Sequence, residues 1–250
     1  MWDILIARLK QKYRTIPYPK GLPVLPERFI GRPAPVSNSA GHIADAVKAC
    51  PTAALKISAG NNLSLDMGRC VFCGQCARIA PDAVTFGRNH SLAGRTRAEL
   101  ILKGKDHKAP EPLDTKLLKL FGKSLKLRQV SAGGCGACEA DTNVLNTVVF
   151  DLGRFGIQFV ASPRHADGLL ITGPVTKNMR LALGKTYAAL PKPKIVIATG
   201  ACAISGGLFS GHPESCDGAD TIVPVDLYIP GCPPHPLTIL DGMLRLLGKA

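Results

Sequence analysis

Eight of the nine cysteines in this 250-residue chain fall into two spaced sets, and that spacing limits what the chain can fold into more than any other feature. Cys70-x2-Cys73-x2-Cys76 is preceded by Cys50-Pro51, and Cys135-x2-Cys138 is followed by Cys202 and Cys232. The opening residues, Met1-Trp2-Asp3-Ile4-Leu5-Ile6-Ala7-Arg8, show no basic stretch before the apolar run and no twin arginine, so no signal peptide is expected. Thiols in a chain without a secretory signal point to metal ligands before disulfides. The fold must therefore bring two sets of four thiolates together. Cys216, in Glu214-Ser215-Cys216-Asp217, belongs to neither set and reads as an odd thiol.

The chain divides into four stretches. Residues 1–36 comprise an amphipathic helix over 2–14, with Trp2, Leu5, Ile6 and Leu9 at helical spacing, and a Pro-rich extended arm. The helix either lies on a membrane or partner surface or packs on its own protein. Residues 37–87 form a compact module: a helix over 42–49, strands at 55–57 and 63–65 joined through Gly60-Asn61-Asn62, and a short strand at 83–86. Residues 88–126 are a basic linker whose Leu117, Leu118, Leu120, Phe121 and Leu125 suggest a surface amphipathic helix. From 127 to 250 strands alternate with helices. Strands are expected at Leu127–Ser131, Ile157–Ala161, Leu169–Thr172, Ile195–Thr199 and Ile222–Pro224, and helices near 139–152, 175–190 and 236–247. That alternation predicts an α/β layer fold with a largely parallel sheet.

The charge is lopsided. Residues 1–130 hold 22 Lys/Arg against 9 Asp/Glu, whereas the remainder holds 9 of each, so the net +13 sits entirely in the first half. No nucleic-acid motif accompanies it, and at 5% aromatic content base-stacking platforms are not expected. An acidic partner or anionic lipid headgroups suit the basic half instead. No apolar run is long enough to span a bilayer.

The run Cys70-x2-Cys73-x2-Cys76 matches three-fourths of the bacterial ferredoxin pattern, and Cys50-Pro51 is the remote fourth ligand such a cluster takes. A second cluster would need a cysteine at position 80, where the chain has Ala80, and its other three ligands are missing too. Residues 37–87 thus resemble a ferredoxin module that keeps one [4Fe–4S] cluster. The alternative is a structural zinc site, which usually pairs C-x-x-C with a second C-x-x-C. A zinc protein binding nucleic acid through its basic half is the rival from another class.

Cys135, Cys138, Cys202 and Cys232 each lie in a Gly-rich loop after an expected strand: Gly133-Gly134-Cys135-Gly136-Ala137-Cys138, Gly200-Ala201-Cys202 and Pro230-Gly231-Cys232-Pro233-Pro234. Strand ends share one edge of a parallel sheet, so distant thiolates can converge there. With Phe155-Gly156, Ala161-Ser162-Pro163-Arg164-His165-Ala166-Asp167, Thr176-Lys177-Asn178-Met179 and Ile222-Val223-Pro224-Val225-Asp226, this spacing resembles the proximal-cluster subunit shared by [NiFe]-hydrogenases and respiratory complex I. The resemblance implies a flavodoxin-like domain holding a [4Fe–4S] cluster beside a catalytic large subunit. The complex I branch carries adjacent cysteines at the first position. Cys135-Gly-Ala-Cys138 is the hydrogenase arrangement, and with no twin-arginine leader it points to the small subunits of membrane-bound, complex I-like hydrogenases of the formate hydrogenlyase type.

The whole chain is then expected to be α/β, a flavodoxin-like parallel-sheet domain preceded by a small α+β ferredoxin-like module, with two [4Fe–4S] clusters and no catalytic residue of its own. The resemblance implies as partners a large subunit ([NiFe]-hydrogenase or the complex I 49 kDa type), further iron–sulfur subunits and integral membrane subunits, at the cytoplasmic side of the membrane. Nickel would be held by the large subunit, because its site needs two C-x-x-C motifs and one cysteine here is unassigned. A quinone or ferredoxin oxidoreductase lacking nickel is the alternative. No GxGxxG follows a strand, so neither nicotinamide nor flavin is expected. Asp141, after Cys138 where the family commonly has Glu, could relay protons or carry a helix N-terminal charge. His165, beside Arg164 near the expected cluster edge, could tune a cluster or simply pack.

Overall fold

A computed structural model describes residues 2–36, 42–58, 62–104 and 106–250. Helix α1 (Trp2–Gln11) has no buried residue: Trp2, Ile4, Leu5 and Leu9 all face outward. The Pro-rich arm then runs to strand β1 (Pro33–Pro35), and helix α2 (Ile43–Lys48) leads into Cys50. Strands β2 (Leu55–Ser58) and β3 (Asn62–Asp66) pair antiparallel with Leu55 opposite Leu65 and Ile57 opposite Leu63, while the start of the module at Ser37 and the turn residues Gly60-Asn61 lie outside the described residues. Helix α3 (Gln75–Ile79) carries Cys76, β4 (Val84–Phe86) pairs with β1, and β5 (Ile101–Leu102) adds a third strand beside β3.

Helix α4 (Thr115–Phe121) takes up Leu117, Leu118, Leu120 and Phe121 of the basic stretch, whereas Leu125 opens the strand that follows. Asp114 caps it by accepting from the Lys116 and Leu117 N–H groups, both at 2.9 Å. Phe121 is buried, with Leu117 and Leu118 against the core, so this helix is docked on the protein rather than spanning a gap.

Five strands build the large sheet of the second half: β6 (Leu125–Ser131), β7 (Ile157–Phe159), β8 (Gly168–Thr172), β9 (Ile195–Thr199) and β10 (Leu227–Ile229). Their order is β10-β9-β8-β6-β7 and every pairing is parallel. Counted within the domain this is 2-1-3-4-5, the flavodoxin-like order. All five positions of β8 and of β9 are buried, as expected of parallel strands covered on both faces by helices. Helices α5 (Ala137–Val144), α6 (Lys177–Ala189), α7 (Ala201–Ser205) and α8 (Pro236–Leu246) complete the layers.

Two sequence expectations are corrected. The fifth strand is Leu227–Ile229 rather than Ile222–Pro224. The Ile222 and Val223 N–H groups turn back to the Ala219 carbonyl, and Pro224 has no N–H for a ladder, whereas Leu227, Tyr228 and Ile229 register with Ile197, Ala198 and Thr199. The helix expected over 139–152 stops at Val144 and gives way to turns in which Asn146 and Thr147 donate only three residues back. β-Branched Val148 and Val149 do not favour its continuation.

The two halves share one hydrophobic core. Ala46, Leu55, Leu65 and Val84 of the first pack in the same cluster as Leu169, Ile171, Ala198 and Tyr228 of the second. Each such Leu or Ile contributes about 1.5–3 kcal/mol by leaving water. Polar ties reinforce the joint: Gly94 bridges Tyr228, Arg95 Nε donates to the Asp226 carbonyl at 2.7 Å, and Ser205 Oγ donates to the Gly68 carbonyl at 2.9 Å. The arm straps both halves. The Ile16 N–H donates to the Val149 carbonyl, the Tyr18 hydroxyl donates to Asp241 on α8, and Arg88 donates to the Leu25 and Pro26 carbonyls.

Candidate metal centres

The first quartet is assembled by three local turns. Cys50 leaves α2 and its sulfur accepts the Ala54 N–H at 3.2 Å. Cys70 follows β3, and its sulfur accepts the Phe72 N–H at 3.3 Å. Phe72 sits at φ +54, a left-handed conformation that costs a bulky residue strain and here aims its N–H at sulfur. Gly74, at φ +71, opens α3 and so swings Cys76 back toward the same point. Cys50, Cys70, Cys73 and Cys76 line one recess walled by Leu55, Leu65 and Phe86.

Burial pushes the Cys70 thiol up to about 12, the Phe72 N–H opposes that rise, and repulsion from Cys76, Cys50 and Cys73 adds to it. Cys76 is raised as well, first by burial and then by Cys50 and Cys73, against the opposing Ala77 N–H. Neutral thiols at pH 7 follow, so metal binding at these positions must displace protons.

The second quartet lies where the parallel sheet predicts, beyond the carboxyl ends of the strands. Cys135 and Cys138 follow β6, Cys202 follows β9 and Cys232 follows β10. Two backbone bonds of 2.8 Å, from the Gly200 N–H to the Ile229 carbonyl and from the Ala201 N–H to the Gly231 carbonyl, lock the last two loops together. Burial raises Cys138 far above the ordinary thiol range, with Cys202, Glu139, Cys232 and Cys135 adding repulsion. Burial likewise lifts Cys202 to about 11, reinforced by Cys232 and Cys135 and eased by the Leu208 N–H.

Glycine makes the space around these sulfurs. A Cβ at Gly200 would come within 2.6 Å of Cys138 Sγ, and one at Gly207 within 2.9 Å of Cys202 Sγ. Among the described residues no three His, Cys, Asp or Glu side chains converge on the position of a single metal ion. Four thiols in an apolar recess at the first site, and four beside glycines at the second, are donor sets of the kind an iron–sulfur cluster takes.

Glu139, which carries no motif of its own in the sequence, is the best-held acid of the site. Ser131 Oγ and Thr172 Oγ1 each donate to its carboxylate at 2.6 Å. Burial acts against its charge, but those two hydroxyls bring its pKa below the ordinary carboxylate value. Its position directly after Cys138, with hydroxyl residues ending two neighbouring strands, was the available signal. Asp141 is half-buried and raised by desolvation. It lines a cleft of about 260 Å³ together with Arg28, Phe72, Cys232 and His235. Arg164 and His165 occupy an exposed 3-10 turn after β7, and neither side chain hydrogen-bonds a sulfur among the described residues. Cys216 packs against the core and lines neither the cysteine recess nor the cleft beside Cys232.

The chain is 41% identical over 144 residues to "Probable membrane-bound hydrogenase subunit mbhJ" of Pyrococcus furiosus, a match covering 58% of this chain and 86% of that protein. Residues 135–246 match the family model described as NADH ubiquinone oxidoreductase, 20 Kd subunit. The chain belongs to that family. Formate hydrogenlyase subunit 7 of Escherichia coli (strain K12) is 48% identical to the chain over 134 residues, 53% of this chain. The chain spans about half of that relative, 52% of its length. An NADH-quinone oxidoreductase subunit of Desulfovibrio desulfuricans is 43% identical over 113 residues, covering 45% of this chain and 61% of that protein. The matched family segment begins at the first cysteine of the second quartet, so the first quartet lies outside it. Among the described residues no helix is long and apolar enough to cross a membrane.

Proposed function

We propose that this chain is the electron-transfer subunit of a complex I-like [NiFe]-hydrogenase, with one [4Fe–4S] cluster on Cys50, Cys70, Cys73 and Cys76 and a second on Cys135, Cys138, Cys202 and Cys232. The observation that carries the reading is the cleft between the two quartets. Val71 and Phe72, from the loop between Cys70 and Cys73, line it opposite Cys232, Pro233 and Pro234. The chain therefore places a ligand loop of each quartet on one small space inside a single folded unit.

Clusters held there would supply one-electron transfer. The protein's own part is to hold them. Thiolates bind, the Ala54 and Phe72 N–H groups donate to the sulfurs of Cys50 and Cys70, and glycines at 200 and 207 keep carbon away from the second site. The shared core fixes the distance between the two sites, because neither half can swing without opening it.

Membership in the 20 Kd subunit family and relatives named as hydrogenase and quinone-oxidoreductase subunits support an oxidoreductase complex with a large subunit and membrane partners. Loops 133–138 and 230–234 are the surface we assign to the large subunit, and the complex is taken to lie peripherally on the cytoplasmic face. The Cys135-Gly-Ala-Cys138 spacing favours the hydrogenase branch over a nickel-free quinone or ferredoxin oxidoreductase. Iron and acid-labile sulfide analysis of anaerobically purified protein tests the cluster count. About eight of each per chain are expected, falling to about half in Cys70→Ala and in Cys202→Ala. About four iron atoms, unchanged by Cys70→Ala, would remove the first cluster from the proposal.

A further inference from the structure

Away from both quartets, the arm and the C-terminal helix enclose a cavity of about 560 Å³, within the range of small-molecule sites. It shares no lining residue with the cysteine recess or the cleft. Helix α8 separates the two regions: His235 caps it beside Cys232, and Arg245 is ten residues further on, about 15 Å along the axis.

Its wall is built from cations. Lys20, Arg32 and Arg245 line it together with the imidazoles of His90 and His107. Arg245 Nε donates to the buried Asp241 at 2.9 Å, and Asp241 also accepts from Tyr18, whose hydroxyl lies 3.2 Å from His90 Nε2. Asp241 is thus engaged behind the wall. Neither Lys20 nor Arg32 has an ion-pair partner among the described residues. These side chains, Asp241 included, leave a net charge of +2, or +1 when the carboxylate of Ala250, which also lines the pocket, is counted.

A second observation points the same way. His107 Nε2 donates to the Ala93 carbonyl at 3.1 Å, which fixes the tautomer, and its Nδ1 is buried with no hydrogen-bond partner. Burial holds this imidazole below its ordinary pKa, with Arg32 adding to the fall, while the Ala93 carbonyl and the backbone and charge of Glu99 oppose it. The acceptor Nδ1 needs a donor and the half-buried, unpaired Arg32 needs an anion, so an anion that carries a hydroxyl answers both. The rim is apolar on one side, since Leu22 lines the mouth and is 96% exposed, as is Val24.

We propose that this cavity binds a phosphoryl group, presented by a soluble phosphate ester or by an anionic phospholipid headgroup. Arg32 and Arg245 offer planar donor sets, Lys20 adds a mobile charge at the mouth, and His107 Nδ1 accepts from a hydroxyl of the phosphate monoester or of the lipid's glycerol headgroup. A lipid would lay its chains along Leu22 and Val24.

The test uses the full, cluster-loaded chain and two probes. Calorimetric titration with glycerol 3-phosphate addresses the soluble source. Co-sedimentation with phosphatidylcholine vesicles, with and without phosphatidylglycerol, addresses the lipid source. Saturable binding of at least one probe is expected, weakened about tenfold or more by Arg32→Gln. Lys20→Gln, at an exposed position that the fold does not need, should weaken it in the same direction. Binding of glycerol 3-phosphate alone assigns a soluble ligand. Phosphatidylglycerol-dependent sedimentation that Arg32→Gln abolishes assigns a lipid. No saturable binding of either probe, or binding equal in the parent and both variants, overturns the proposal.

Discussion

Replacing Gly200 by alanine should empty the second quartet while sparing the first. Gly200 lies at φ 91, ψ 153, a region essentially reserved for glycine, so an L side chain there costs about 1–3 kcal/mol in backbone strain. The added Cβ would stand 2.6 Å from Cys138 Sγ, far inside contact distance, and overpacking of that kind costs about another 1–3 kcal/mol. The sum, about 2–6 kcal/mol, lies below the upper range of domain stability but can be relieved most directly by pushing Cys138 aside. Two further glycines separate the contributions. Gly136 has φ +87 and open space around its would-be Cβ, so Gly136→Ala reports backbone strain alone. Gly184 lies within α6 with nothing within 4 Å, so Gly184→Ala should stabilise by about 0.5–1 kcal/mol. Iron and sulfide content, absorption near 400 nm and melting curves of anaerobically purified variants read the outcome, with Gly200→Ala expected to retain about half the parent's iron. Full iron in Gly200→Ala, with a stability loss no larger than in Gly136→Ala, would refute the claim that Gly200 makes room at the second site.

Three other outcomes are expected. Cys216→Ser should leave iron content and spectra unchanged, and loss of either cluster's signal would reassign the second quartet. In the assembled complex, Cys73→Ala should abolish ferredoxin-linked turnover while hydrogen–deuterium exchange persists, and Cys138→Ala should lose both; equal loss of the two activities in Cys73→Ala would mean that the first site is structural. Burial lowers the pKa of His90, His107 and His235 below the ordinary 6.5, so near and below that value the unfolded chain binds more protons. Their stability contribution is therefore full above pH 6.5 and lost as pH falls below it, which melting curves at about pH 7.5 and 5.5 would show, with a shallower drop in His107→Gln.

The sequence made the second domain legible through its strands, because β8 and β9 are continuous apolar runs that only a parallel sheet buries on both faces. Convergence of Cys135, Cys138, Cys202 and Cys232 followed from that architecture, since glycine-rich loops after parallel strands must share an edge. What stayed hidden depends on tertiary contact. Ile222-Val223-Pro224 and Leu227-Tyr228-Ile229 are both apolar triplets, and only the pairing partner Ile197 separates strand from turn. The anchoring of Glu139 needs Thr172, thirty-three residues away, to end its strand at the right height. The cationic cavity draws on Lys20, Arg32, His107 and Arg245, a set with no spacing pattern at all.

The strap formed by the arm also dictates an order of events during synthesis. Tyr18 is made early, yet its partner Asp241 is 223 residues further along the chain, in the last helix. The arm therefore has no final resting place until α8 has been made. Contacts of such long sequence separation form late. Cys232 comes only nine residues before Asp241, so the second quartet's last thiol and the strap's anchor are made almost together. Cys50, Cys70, Cys73 and Cys76 are all made long before either, so the first recess is the one that iron and sulfide can reach before the arm is tied down.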